Sequence, residues 1–206
     1  DSGIYFVVVD NVAGSASSTP VQITVVNVAR DVFDDFEPGI DSTQWSAFGG
    51  DVRATNYGGS VSGANSLWFG GDGPRYAVTR AIDTSDGALA TFNLRLADGS
   101  AYPWEEPQDF SQSILFQASP DGGSNWFHLN QFSLPGLTQW TPQFVIIPEI
   151  ARSEFTIFRW VQFSPGGDQF DHWALDDVSI RPLPLVPEIL IQPESRRVLR
   201  GSDVFF

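Results

Sequence analysis

The amino-acid sequence predicts an all-β protein built of many short antiparallel strands. Three observations carry that expectation. Glycine and proline are frequent, at 19 and 14 of 206 residues, and they cut the chain into segments that suit strands and turns better than long helices. The segments between them are rich in β-branched and aromatic residues, which fit a pleated, half-buried surface. A hydrophobic content of 42%, with 17 Phe and 7 Trp, is enough to fill a real core, which argues against disorder.

The first element is a hairpin. Residues 4–9 (Ile-Tyr-Phe-Val-Val-Val) form one run, residues 20–28 alternate again, and Asp10-Asn11-Val12-Ala13-Gly14 supplies turn chemistry between them. Asp1, Gly3 and Tyr5, with the Asn11-x-x-Gly14 turn, resemble the last two strands of an immunoglobulin-like domain. The usual signature there is Asp-x-Gly-x-Tyr-x-Cys; here Val7 replaces the cysteine, so packing alone would hold that core. The resemblance implies that the Tyr5 hydroxyl makes the corner hydrogen bond of that fold. At the other end, Pro187-x-Ile189-x-x-Gln192-Pro193 and Val198-x-x-Gly201-x-x-Val204-x-Phe206 resemble the first strands of such a domain. Segments 1–29 and 187–206 are together too short to rebuild one domain, which takes roughly 100 residues. The expectation is a window on a longer alternating array.

Residues 31–181 read as the complete domain. Asp34-Asp35-Phe36-Glu37 opens it, followed by Trp45 and a Gly-rich hairpin with Gly49-Gly50 and Gly58-Gly59. Ser66-Leu67-Trp68-Phe69, Arg75-Tyr76-Ala77-Val78-Thr79 and Ile82-Asp83-Thr84 come next. Strands are expected at 90–96, 114–119, 140–148 and 154–163, and Trp173-Ala174-Leu175-Asp176-Asp177 closes the domain. That order of motifs, together with Phe158-Arg159-Trp160-x-Gln162, resembles the reelin-type subrepeat. The resemblance implies an all-β jelly-roll β-sandwich with antiparallel sheets, flanked by partial immunoglobulin-like strands at both ends. The family's cysteines are absent, so any disulfide-dependent assembly is in doubt.

Composition excludes several function classes. The net charge is −14 and all 11 basic residues are Arg, with no basic stripe, so nucleic acid is not an expected partner. No apolar run is long enough to span a bilayer, so no membrane insertion is expected in this segment. Without Cys there are no disulfides and no thiolate metal sites, which tilts the expected location to a prokaryotic cell surface or extracellular space. Two histidines, His128 and His172, lack metal spacing, and His172 reads as a half-exposed turn residue. No Gly-x-Ser-x-Gly elbow appears. The chain is therefore expected not to be an enzyme.

Three candidate sites remain. Ser119-Pro120-Asp121-Gly122-Gly123-Ser124-Asn125-Trp126 matches the Asp-box, Ser-x-Asp-x-Gly-x-x-Trp. Its physics is that of a staple: the Asp121 side chain caps backbone N–H groups, Gly123 takes a positive φ and Trp126 folds back. Jelly-roll sheets place first and last strands side by side, which would gather Asp34, Asp35, Glu37, Asp176 and Asp177 at one edge. Hard oxygen ligands there suit a structural Ca²⁺, as the resemblance also implies; simple solvation or turn capping is the competing reading. Tyr102 and Trp104, beside Glu105 and Glu106, are candidate glycan-stacking residues, although packing onto the sheet is the favoured reading of them.

Two functions compete. One is a structural or adhesive repeat module of a long extracellular surface or filament protein, in contact with neighbouring copies or adjacent β-domains. The alternative is a carbohydrate-binding module appended to a secreted enzyme, with glycans as partners.

Overall fold

The computed structural model describes residues 3–23, 28–97, 102–133 and 137–183. The strands expected within 187–206 lie outside the described residues. The amino-terminal hairpin is there, as β1 (Gly3–Tyr5), β2 (Val8–Asn11), β3 (Gly14–Ser17) and β4 (Val21–Ile23). β2 pairs with β3 across the two-residue turn Val12-Ala13, and Asn11 Oδ1 accepts the Ala13 N–H at 2.8 Å. β1 pairs with β4, Gly3 opposite Ile23 and Tyr5 opposite Val21. The return arm starts at Gly14, well before the alternating run at 20–28. Gly-Ser-Ala-Ser lacks strand propensity, but it pairs because the tight turn delivers it to β2. The ladder breaks near Pro20, which has no N–H to donate.

The other eleven strands among the described residues form a two-layer sandwich. They are β5 (Val32–Asp34), β6 (Trp45–Gly49), β7 (Asp51–Thr55), β8 (Ser66–Gly70), β9 (Arg75–Thr79), β10 (Ala88–Arg95), β11 (Ile114–Ser119), β12 (Phe127–Phe132), β13 (Thr141–Ile146), β14 (Ile157–Gln162) and β15 (Trp173–Pro182). One sheet runs β13-β10-β15-β8-β7, with β5 also on β15; the other runs β12-β11-β14-β9-β6. All these strand pairs are antiparallel. From β9 to β15 the chain crosses repeatedly between the layers, as a jelly roll does. Among the described residues, helix is confined to two 3-10 turns, Phe110–Gln112 and Glu149–Ala151.

Alternation along the strands fills the space between the layers. On β10, Ala90, Phe92 and Leu94 are buried while Thr91, Asn93 and Arg95 are half-buried on the other face. Phe69 on β8 stacks on Trp173 of β15 at 3.6 Å between ring centroids. Trp160 on β14 meets Phe92 at 5.1 Å, Phe116 at 4.7 Å and Trp45 at 5.9 Å, tying the two sheets together. Such aromatic contacts add about 0.5–1.5 kcal/mol each beyond the area they bury.

Candidate functional site

Of the candidate residues, Trp104 and Asp177 lie on the outer face of the larger sheet. On β8, Leu67 and Phe69 enter the main core, while Trp68 points out and packs with Trp104 and Ala174. Trp104 is only 4% exposed. Its ring lies against Gly58, where a Cβ would come within 2.6 Å, and the Arg95 guanidinium sits 5.3 Å from its centroid. The structure thus corrects the reading of Trp104 as a glycan-stacking residue: it is a plug on the sheet, with too little open surface to stack on a sugar. Tyr102 stays 65% exposed, with Phe170 edge-on at 5.1 Å. His172 is also corrected, because it is buried and not half-exposed. Its ring meets Trp68 edge-on at 4.9 Å and its Nε2 lies 2.9 Å from the Asp168 carbonyl, and burial holds its pKa below the usual histidine range.

Five acids were expected at one edge. The first and last strands of the sandwich do pair, Asp34 opposite Val178. Further along β15 the ladder to β10 carries a bulge: Thr91 pairs with Ser179 and Asn93 with Asp176, so two β15 residues face one of β10. Asp177 takes up the extra length with φ 49°. In a regular strand consecutive side chains face opposite ways. At the bulge both carboxylates reach the same loop. Asp176 accepts the Val61 N–H at 2.6 Å and Asp177 accepts the Ser62 hydroxyl. Glu37 holds the other end of that loop, accepting the N–H of Ala64 at 2.6 Å and the N–H of Asn65. Asp34 and Asp35 act elsewhere. Asp34 accepts the N–H of Phe36 and Asp41 and the Trp45 indole at 2.7 Å, and Asp35 accepts the Glu37 N–H.

The charges follow from these surroundings. Burial pushes Asp176 up to about 6, with the Asp177 carboxylate adding to the push. Burial also raises Asp34, although the Trp45 indole and two N–H groups pull against it. Glu37 lies below the usual carboxylate range because the Ala64 and Asn65 N–H groups favour its charged form. Among the described residues no group of three or more Asp, Glu or His side chains converges into a ready metal site.

The 119–126 turn closes on itself. Asp121 accepts the Ser119 hydroxyl at 2.7 Å, the Asn125 N–H at 2.9 Å and the Asn125 amide at 2.6 Å. Ser119 in turn accepts the Gly123 N–H at 2.7 Å, and Gly123 has φ 99°. Those donors hold Asp121 down to about 2. Trp126 folds back to lie under the Arg159 guanidinium, 3.8 Å from its centroid.

Two features escaped the sequence reading. Arg75 is fully buried and donates to the carbonyls of Gly71, Gly167, Phe170 and Asp171 and to Gln162. It clamps the 166–171 loop, and the Arg-x-Ala-x-Thr pattern gave no hint of that role. The second feature is a groove of about 370 Å³ on the outer face of the larger sheet. Thr91 and Asn93 of β10 and Asp177 of β15 line it, with Val61 on one side and Pro142 and Phe144 of β13 on the other. These residues lie far apart in sequence, and no motif marks them.

The comparisons with known proteins agree with this architecture. The K1 cleaved adhesin domain of Lys-gingipain from Porphyromonas gingivalis W83 is 18% identical, with a TM-score of 0.52, over 74% of this chain and 98% of that one. The K3 cleaved adhesin domain of the same protein is 20% identical, with a TM-score of 0.51, over 73% and 98%. The CBM22-1 xylan-binding domain of Paenibacillus barcinonensis Xyn10C is 15% identical, with a TM-score of 0.49, over 76% and 97%. The first two share the fold with this chain. The family model for reelin subrepeat B matches residues 49–181, from the end of β6 to the last strand. That span holds the turn at 119–126, the Arg75 clamp and the bulged acids of β15, and the chain belongs to the reelin subrepeat B family.

Proposed function

We propose that this chain is a structural and adhesive repeat module of a long extracellular surface or filament protein, joined to its neighbours by β-domain contacts. One observation carries the reading. The hairpin of β1–β4 exposes Ile4, Phe6, Val7, Val8, Val9, Val12, Val21 and Ile23. An isolated two-stranded ribbon is marginally stable at best, and apolar side chains in such number belong against another sheet. A neighbouring β-domain would cover them, either as a preceding part of the same protein or as an adjacent copy. The resemblance of segments 1–29 and 187–206 to partial immunoglobulin-like strands, around a jelly roll at 31–181, suits such an array. We read the module as non-catalytic, since its buried titratable groups serve loops and turns. Among the described residues no helix is long and apolar enough to cross a membrane.

Negative-stain imaging of the native protein tests this reading. Extended rods or filaments with beads of domain size are expected; compact single particles of one domain would overturn it.

Calcium belongs to the same reading. Glu37, Asp176 and Asp177, which grip the two ends of loop 61–65, are the acids that would hold it, and since they do not converge here the loop would have to close around the ion. What supports this is the hard oxygen donor set and a fully buried Asp176 whose charge is opposed by burial and by Asp177. Asp34 and Asp35 are occupied by their own segment and drop out of the proposed ligand set.

A further inference from the structure

We infer that the groove between β10, β13 and the bulge of β15 binds an uncharged oligosaccharide. This does not depend on the array reading, because the groove is complete within one chain. Its volume of about 370 Å³ falls within the range of small-ligand sites. Its floor carries a hydroxyl (Thr91), an amide (Asn93) and a carboxylate (Asp177), which between them can donate to and accept from sugar hydroxyls. Its β13 side differs in kind. Pro142 and Phe144 stand opposite Asn93 and Thr91 in the ladder, so they share the outer face with them. Phe144 is 41% exposed although it is a large aromatic residue in the middle of a strand. An apolar ring beside a row of hydroxyl-binding groups matches the two faces of a pyranose, one lined by C–H bonds and the rim by O–H bonds.

The groove is also pre-organised. The Asn93 amide donates to Asp177 at 3.1 Å, and the Ser62 hydroxyl donates to the other oxygen of the same carboxylate. Groups already locked in place lose less freedom when a ligand arrives. The bulge at Asp177 puts the carboxylate on the outer face, and bulges often re-aim a side chain at a functional site. Charge narrows the ligand class. The groove lining holds one carboxylate and no basic residue, and the chain has a net charge of −14, so acidic polysaccharides are disfavoured. Trp104 plugs the β8 side of the same face, which confines a ligand to the β10–β13 side.

The test titrates the whole chain with cellohexaose, xylohexaose, mannohexaose and β-1,4-galactotriose, and with oligogalacturonate as the anionic probe, by calorimetry and by amide chemical shifts. Saturable binding of at least one neutral oligosaccharide is expected, with shifts centred on 91–93, 142–144 and 177. Phe144→Ala should weaken it at least tenfold, and Asn93→Ala should weaken it similarly. Phe155→Ala, an exposed aromatic just before β14 and outside the groove lining, should leave it unchanged. Phe144 is exposed, so its variant should fold even if Asn93→Ala does not, and thermal melts verify this. No neutral binding at millimolar concentration, binding of oligogalacturonate alone, or neutral binding untouched by Phe144→Ala would each overturn the proposal.

Discussion

At the residue scale, carboxylates do most of the local work. Asp121 shows how. Four donor–acceptor contacts that knit the 119–126 turn all end on its carboxylate or on the Ser119 hydroxyl that donates to it. Its folded pKa of about 2 lies below the unfolded value, so the folded state releases that proton more readily. Stability from Asp121 is therefore present above about pH 4 and is lost as pH falls towards 2. Denaturant melts at pH 4 and pH 2 should show a smaller acid loss in Asp121→Ala than in the native chain, and at pH 7 that variant should melt lower by roughly 3 °C. Arg75 works in the opposite sense, as a buried cation. It satisfies carbonyls instead of pairing with an acid, and burial lowers its pKa to about 10, still far above neutral pH. Arg75→Met should cost about 3 kcal/mol by leaving those carbonyls unpaired. Arg75→Lys should rescue only part of that, because an ammonium cannot reproduce the fork of N–H donors; chemical denaturation reads both.

At the element scale, the bulge on β15 matters most. One extra residue turns Asp176 and Asp177 towards loop 61–65 together. An L-residue with φ 49° is tolerated best when it is Asn, Asp or Gly, and least when it is β-branched. Asp177→Val should cost about 1–2 kcal/mol from backbone strain alone, on top of the lost hydrogen bonds. Asp177→Gly should lose only the hydrogen bonds, and the difference between the two melts measures the strain. The pair Asp176-Asp177 was visible in the sequence as two acids at a closing strand. Their shared orientation was not, since it depends on how β10 and β15 register.

At the scale of the whole molecule, the sandwich is the body and loop 61–65 ties its ends. Loop 61–65 bridges from Glu37, just after the first strand of the sandwich, to the last strand, so whatever steadies the loop closes the sandwich. If calcium sits there, melting temperatures measured in EDTA and in millimolar Ca²⁺ should differ by several degrees, because a ligand bound only to the folded state stabilises it by mass action. Equal melting temperatures would remove calcium from the account. Glu37→Gln should shrink the difference, and should also lower the EDTA melt, because the charged form of Glu37 is the one that the Ala64 and Asn65 N–H groups favour.

The sequence by itself determined the fold class, the order of most strands and the turn at 119–126. Those depend on local chemistry: period-two burial, Gly and Pro between runs, and an Asp that caps its own neighbours. It also marked Glu37, Asp176 and Asp177 as acids worth attention. Tertiary structure alone decided the rest. Trp104 and an exposed aromatic look the same in sequence, and only the packing of its loop on Gly58 and Trp68 buries it. Thr91, Asn93, Phe144 and Asp177 come from three strands that meet only in the sheet, so the groove they line has no signature along the chain. Asp34 belonged to the expected ligand set until the fold brought Trp45 and Asp41 to its carboxylate. Side-chain type fixes what a residue can bond to; long-range pairing fixes which partner arrives.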